Sequence, residues 1–294
     1  MRLYRGVTTS LLTLTFAMAS ALPAVAQPKK VTVGGRPSPG QSLRLNIGQD
    51  ADLTMKPVEA PAGSPIGPMH LKAKTTTVVV QSIGTPDPKG VLQVDMTYED
   101  ITQNVTMNDQ PAPPEAAEAA MKIKGKTLSM TLDTNGEVIQ VTPPPDFEMP
   151  PDMIKDMLKQ ALGLMPRKEM TVGETVSTPF AMAMPVPIPG DAPQLKGELT
   201  NTLTGVSGPA GNETAALEQV VTANVDATMP APGGSGTIGI KMQVTGRGTS
   251  EWDVKGALVK ASKMTTNIAG TLTFPGAGAM ELTGTTIVSL DRVP

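Results

Sequence analysis

The strongest constraint on this chain is a period of two. Leu43, Leu45 and Ile47 alternate with Arg44 and Asn46. Leu92, Val94, Met96 and Tyr98 alternate with polar neighbours, as do Leu128, Met130 and Leu132. Ile238, Ile240, Met242 and Val244 share one parity, and so do Leu195, Leu199 and Leu203, and Met264, Ile268, Leu272 and Phe274, with Val288 and Leu290 in the last strand. Successive side chains of a strand point to opposite faces, so this pattern specifies strands with one buried and one wet face. Antiparallel sheets meet that condition, whereas all-parallel sheets are covered on both faces. The expected fold is mainly β: an antiparallel curved sheet or half-barrel.

Turn residues divide the pattern. Pro86-Asp87-Pro88-Lys89-Gly90 and Asp133-Thr134-Asn135-Gly136 read as hairpin turns. Gly48-Gln49-Asp50 reads as a turn between two shorter strands, and the stretches Pro57 to Pro68 and Pro179 to Pro193 read as proline-rich loops. One segment changes period. Between Pro150-Pro151 and Pro166, the residues Met153, Ile154, Met157, Leu158, Ala161 and Leu162 recur at helical spacing, which predicts a short amphipathic helix over 152–164 with Asp152 as its cap. A weaker helical turn is expected at Glu115 to Met121. Leu71-Lys72, Thr76 and Gly84 line up with Leu195-Lys196, Thr200 and Gly208. The β region 42–294 is therefore read as one domain or as two related halves, 42–145 and 167–294, joined by the helix.

Residues 1–26 have the form of a cleavable secretory signal: Arg2 and Arg5, an apolar stretch from Leu11 to Val25, then Ala24-Val25-Ala26. Pro23 and three hydroxyl residues interrupt that stretch, so it falls short of the ~20 apolar residues of a membrane span. No later segment approaches one, so no transmembrane segment is expected. The expected location is the periplasm or the medium, with residues 27–41 as a flexible leader. Losing the two arginines takes the formal charge from −3 to −5. With that sign and no aromatic ladder, nucleic acid is not an expected partner. The chain has no cysteine, which removes disulfides, thiol chemistry and a lipid-modified cysteine at the cleavage point.

The residues offer little to catalysis. A nucleophile activated by histidine would need His70, the single histidine, which is read as a loop residue. Ser-x-x-Lys, Gly-x-Ser-x-Gly, phosphate-loop and His-Glu-x-x-His patterns are missing from the sequence. Nothing singles out a pair among the 27 acidic residues. Asp133-Thr134-Asn135-Gly136-Glu137 lacks the later ligands of a calcium loop and reads as a turn. The expectation is a protein that is not an enzyme and that uses no cofactor and no metal. Nineteen methionines stand against two Tyr, four Phe and one Trp. Met149, Met153, Met157, Met165 and Met170 cluster in sequence, and such adaptable side chains suit core filling, the lining of a binding surface or, through their thioethers, monovalent copper.

The order of parts, from Leu43-Arg44-Leu45 through Asp133-Thr134-Asn135-Gly136-Glu137 and Val172-Gly173-Glu174 to Trp252-Asp253-Val254-Lys255-Gly256, resembles a family of exported bacterial β-rich proteins that carry a domain of unknown function. At fold level it is similar to the periplasmic lipoprotein-carrier and lipid-binding half-barrels. The chain departs from those carriers in having few aromatic residues; it is the concentration of methionine beside one amphipathic helix that leads to the expectation of a curved sheet holding apolar side chains inside under the helix, with Met130, Met153, Met157, Leu158, Met242 and Met264 lining the interior. The partner would be an apolar small molecule or an envelope protein. The alternative is a structural or protein-interaction module of the periplasm, with a solid interior and no ligand.

Overall fold

The computed structural model describes residues 29–59, 67–112, 122–145, 147, 150–183, 193–231, 236–275 and 278–293. The signal segment 1–26, Glu115 to Met121, Met149 and parts of the two proline-rich stretches lie outside them. A short strand, β1 (Lys30–Val33), comes first. Then follow β2 (Ser42–Glu59), β3 (Met69–Ile83), β4 (Leu92–Met107), β5 (Gln110–Pro111), β6 (Thr127–Leu132) and β7 (Val138–Thr142). The helix α1 (Pro151–Gly163) leads into β8 (Lys168–Thr171) and β9 (Thr175–Ala183). The chain ends in β10 (Gln194–Ser207), β11 (Thr214–Pro230), β12 (Thr237–Asp253), β13 (Leu258–Phe274) and β14 (Gly278–Val293).

One antiparallel sheet runs in the order β7-β6-β4-β3-β2-β14-β13-β12-β11-β10-β9, with β5 added to β4, and β1 pairs with β8 in a separate ribbon. Two meanders meet where β2 pairs β14, from Arg44 to Glu59. The sheet is not closed into a barrel: β7 and β9 remain as its edges, and α1 touches both. A sheet whose two edges reach one helix must curl around that helix.

The cross-strand register puts the apolar parity of every strand on the same face. Leu45 lies opposite Val79, Val94 opposite Met130, Leu217 opposite Leu203 and Ser250, and Met242 opposite Val225. The other face carries hydroxyl pairs such as Thr97–Thr127 at 2.8 Å and Thr175–Thr202 at 2.9 Å. Glycines assist the curl. Gly197, Gly246, Gly248, Gly270 and Gly284 all fall on the apolar face, and a Cβ on Gly270 would stand 2.3 Å from the Lys241 carbonyl oxygen. Gly270→Ala is therefore expected to destabilise the fold by about 2 kcal/mol, as overpacking does. Gly205→Ala, with open space around it, should stay within about 0.5 kcal/mol. Urea unfolding of the two variants checks the contrast.

Several expectations need correction. β2 runs without a turn at Gly48-Gln49-Asp50, because β3 and β14 supply a ladder on both sides. Gly48 serves close approach instead, as a Cβ there would lie 2.7 Å from Ser289 Oγ. Pro57 and Pro179 lie inside strands rather than in loops, Pro57 next to a register shift and Pro179 on the edge strand β9. His70 belongs to β3, with Nε2 2.6 Å from Asp52 Oδ1. Within the leader 27–41, Lys30–Val33 is a strand whose Val31 and Val33 are buried with Met170, Leu203, Leu217 and Trp252. Asp152 does not cap α1: the N-cap is Pro150, Pro151 opens the first turn, and Asp152 only complements the helix dipole.

At the β8–β9 turn, Lys168 Nζ donates to Glu174 Oε1 at 2.8 Å and the Thr171 amide donates to Oε2 at 2.9 Å. First the Lys168 hydrogen bond and then the amide hold the Glu174 carboxyl below its ordinary value. A carboxylate depressed by folding supports the native state above its unfolded pKa, and the support is lost as pH falls through the folded value. Glu174→Gln is expected to flatten that acid limb. Urea midpoints taken from about pH 5 downward check this.

Candidate functional site

At one end the apolar face is covered by the helix and the β1–β8 ribbon. There α1 packs Ile154, Leu158 and Leu162 against Leu92, Val94, Leu128, Met130, Leu132, Val138 and Leu258. The β1–β8 ribbon covers the neighbouring strands β10 to β12 through Val31, Val33 and Met170. Each fully buried aliphatic side chain of these clusters contributes about 2 kcal/mol. A buried polar chain fixes how the helix ends. Asn201 Nδ2 donates to the Leu164 carbonyl at 3.3 Å, and Gln219 Nε2 donates to Asn201 Oδ1 at 2.8 Å. An unpaired helix-end carbonyl at this depth would cost about 1–3 kcal/mol, which Asn201 avoids.

Helix and ribbon do not fill the space beneath them. Between them and the sheet lies a cavity of about 310 Å³. Its floor is the sheet: Leu45, Ile47, Val79, Met96, Tyr98 and Met130. Its roof is Leu158, Ala161 and Leu162 of α1 with Met165, Arg167 and the segment Gly34, Gly35 and Pro37. That volume is at the lower end of the roughly 300–1,000 Å³ of ligand pockets. Burial pushes the Tyr98 phenol above its ordinary value, so the ring meets the cavity uncharged. Three hollows of about 430, 390 and 600 Å³ also occur, but their linings include polar-face side chains such as Glu218, Arg247, Lys263 and Asp226. They offer no apolar enclosure.

Of the residues expected to line an interior, Met130 and Leu158 reach this cavity. Met242 lies in a second apolar cluster with Val225, Met229 and Ile240, away from the helix. Met264 faces Gly248 across β12 and β13. Met153 and Met157 are 38 % and 39 % exposed and lie outside the cavity lining, because α1 docks through the rows of Ile154, Leu158 and Leu162 rather than through the whole apolar stripe. The structure thus brings two of the six together and separates the rest. Leu45, Val79, Met96 and Tyr98 were findable from their shared parity, but Arg167, Gly34 and Gly35 carry no periodic signal.

Among the described residues no group of three or more His, Cys, Asp or Glu could hold a metal, and no helix is long and apolar enough to cross a membrane. His70 and Asp52 pair on the polar face, at the surface.

No family model matches the chain, and no curated protein matches it. Among solved structures, it is similar to lipovitellin, from work on lipid–protein interactions, with a TM-score of 0.46 and 10 % identity over 87 % of this chain and 25 % of that one. It thus spans a quarter of the lipovitellin chain. An outer membrane channel from Pseudomonas putida F1 gives a TM-score of 0.20 and 8 % identity over 92 % of this chain and 100 % of that one.

Proposed function

We propose that this is an exported, non-enzymatic protein of the cell envelope, periplasmic or secreted after loss of residues 1–26, that binds an apolar small molecule between α1 and the sheet. The observation that carries the reading is the partly open cavity of about 310 Å³, with a floor of aliphatic, methionine and aromatic side chains under a helical roof. A fully packed interior, as a purely structural module would have, leaves no such space. The adaptable Met96, Met130 and Met165 in its wall suit a flexible ligand. The contacts of α1 with both sheet edges make the helix the natural roof to part when a ligand enters.

The test is fluorescence titration of the mature protein with phenylnaphthylamine, an uncharged probe that brightens in apolar surroundings. Saturable binding at one site is the expected result, and a flat titration would overturn the reading.

A further inference from the structure

Arg167 is the one charged side chain among the described residues that line the cavity. Its backbone stands in the left-handed region at φ 48°, a conformation that non-glycine residues seldom adopt and that clusters at functional sites. The Arg167 amide is tied to the Val33 carbonyl at 2.9 Å, which fixes its backbone against the end of β1. One terminal nitrogen donates to the Gly136 carbonyl over a long 3.3 Å, while the buried Nε has no hydrogen-bond partner. Among the described residues no carboxylate pairs with it. A guanidinium in an apolar wall, with donors to spare and no counter-charge, is matched by an oxyanion that arrives with the ligand.

We propose that the cavity takes an anionic amphiphile, whose acyl chain lies on the sheet floor and whose carboxylate or phosphate pairs with Arg167. This rests on the cavity being a ligand site. An apolar tail alone would fit the floor but would leave the arginine unpaired. An oxyanion satisfies both.

The experiment compares laurate with dodecanol, which share a tail and differ in charge, by displacement of phenylnaphthylamine from the mature protein. Laurate is expected to bind about tenfold more tightly, as a charge-assisted hydrogen bond supplies. Arg167→Gln should erase that preference while dodecanol binds as in the wild type, and Arg167→Lys should restore part of it. A dodecyl phosphate arm names the source: tighter binding than laurate indicates a phospholipid-type headgroup, weaker binding a free fatty acid. Equal binding of laurate and dodecanol by the wild type, or a preference that survives in Arg167→Gln, overturns the assignment to Arg167 and leaves the cavity reading standing. Loss of both ligands in Arg167→Gln would make Arg167 a strut of the roof and also overturn it. If neither ligand displaces the probe from the wild type, both readings fail.

Discussion

Leu158→Gln is expected to weaken binding of phenylnaphthylamine by ten- to a hundredfold, whereas Met157→Gln leaves it within about twofold. The two residues are neighbours on α1 and sequence reasoning groups them together. The structure separates them: Leu158 lines the cavity and packs against the Met130 cluster, while Met157 is 39 % exposed. An amide placed in that apolar roof has no partner, at a cost of about 1–3 kcal/mol, and each 1.4 kcal/mol is a factor of about ten in affinity. The same amide at position 157 meets water. Probe titration of both variants checks the difference, and equal losses would contradict the docking of the helix described above.

Leu132→Ala is expected to cost about 3 kcal/mol of stability, within the range of about 2–5 for a large-to-small change in a packed core. Leu132 is 2 % exposed, lies opposite Leu92 on β4 and Val138 on β7, and forms part of both the main cluster and the cavity floor. The adjoining cavity cannot close over the missing atoms, so the loss should not relax away. Met153→Ala, at a residue 38 % exposed, provides the contrast and should stay within about 1 kcal/mol. Urea unfolding at constant slope measures both, since a changed slope would mean that something other than core packing had moved.

Much of the sheet was legible because parity is a local signal. Leu92, Val94, Met96 and Tyr98, or Ile238 through Val244, declare which side is buried without reference to any partner. The hairpin turns were equally readable: Asp133 Oδ1 accepts the amides of Asn135 and Glu137, and Asp87 Oδ1 accepts those of Lys89 and Val91. The Trp252 to Gly256 motif ends β12 and enters the turn that follows, with Asp253 Oδ1 accepting the Gly256 amide and Ser38 binding back to it. What the sequence hid depends on distant contacts. Lys30–Val33 is too short to stand out and becomes a strand only through its register with β8. The Gly48 triplet resembles a turn until β14 is known to lie beside it. Arg167 looks like any surface cation after Pro166, and only the closing of helix and ribbon over the sheet makes it part of a cavity wall. The same docking angle turns Met153 and Met157 away from the site where spacing had placed them.

The cavity and its arginine also explain each other energetically. A guanidinium set in such a wall is expensive unless paired, and the cavity beside it gives a counter-ion somewhere to sit. Asn201 and Gln219 contribute by holding the end of α1 at a fixed height above the floor.

The most direct test of the central claim is native mass spectrometry of the protein purified gently from the cells that express it, with organic extraction of whatever travels with it. The expected result is a reproducible adduct of the mass of one acyl-chain molecule, absent from Leu158→Gln and retained by Met157→Gln. A clean protein mass that stays unchanged after incubation with laurate, dodecanol and phospholipid vesicles would contradict it.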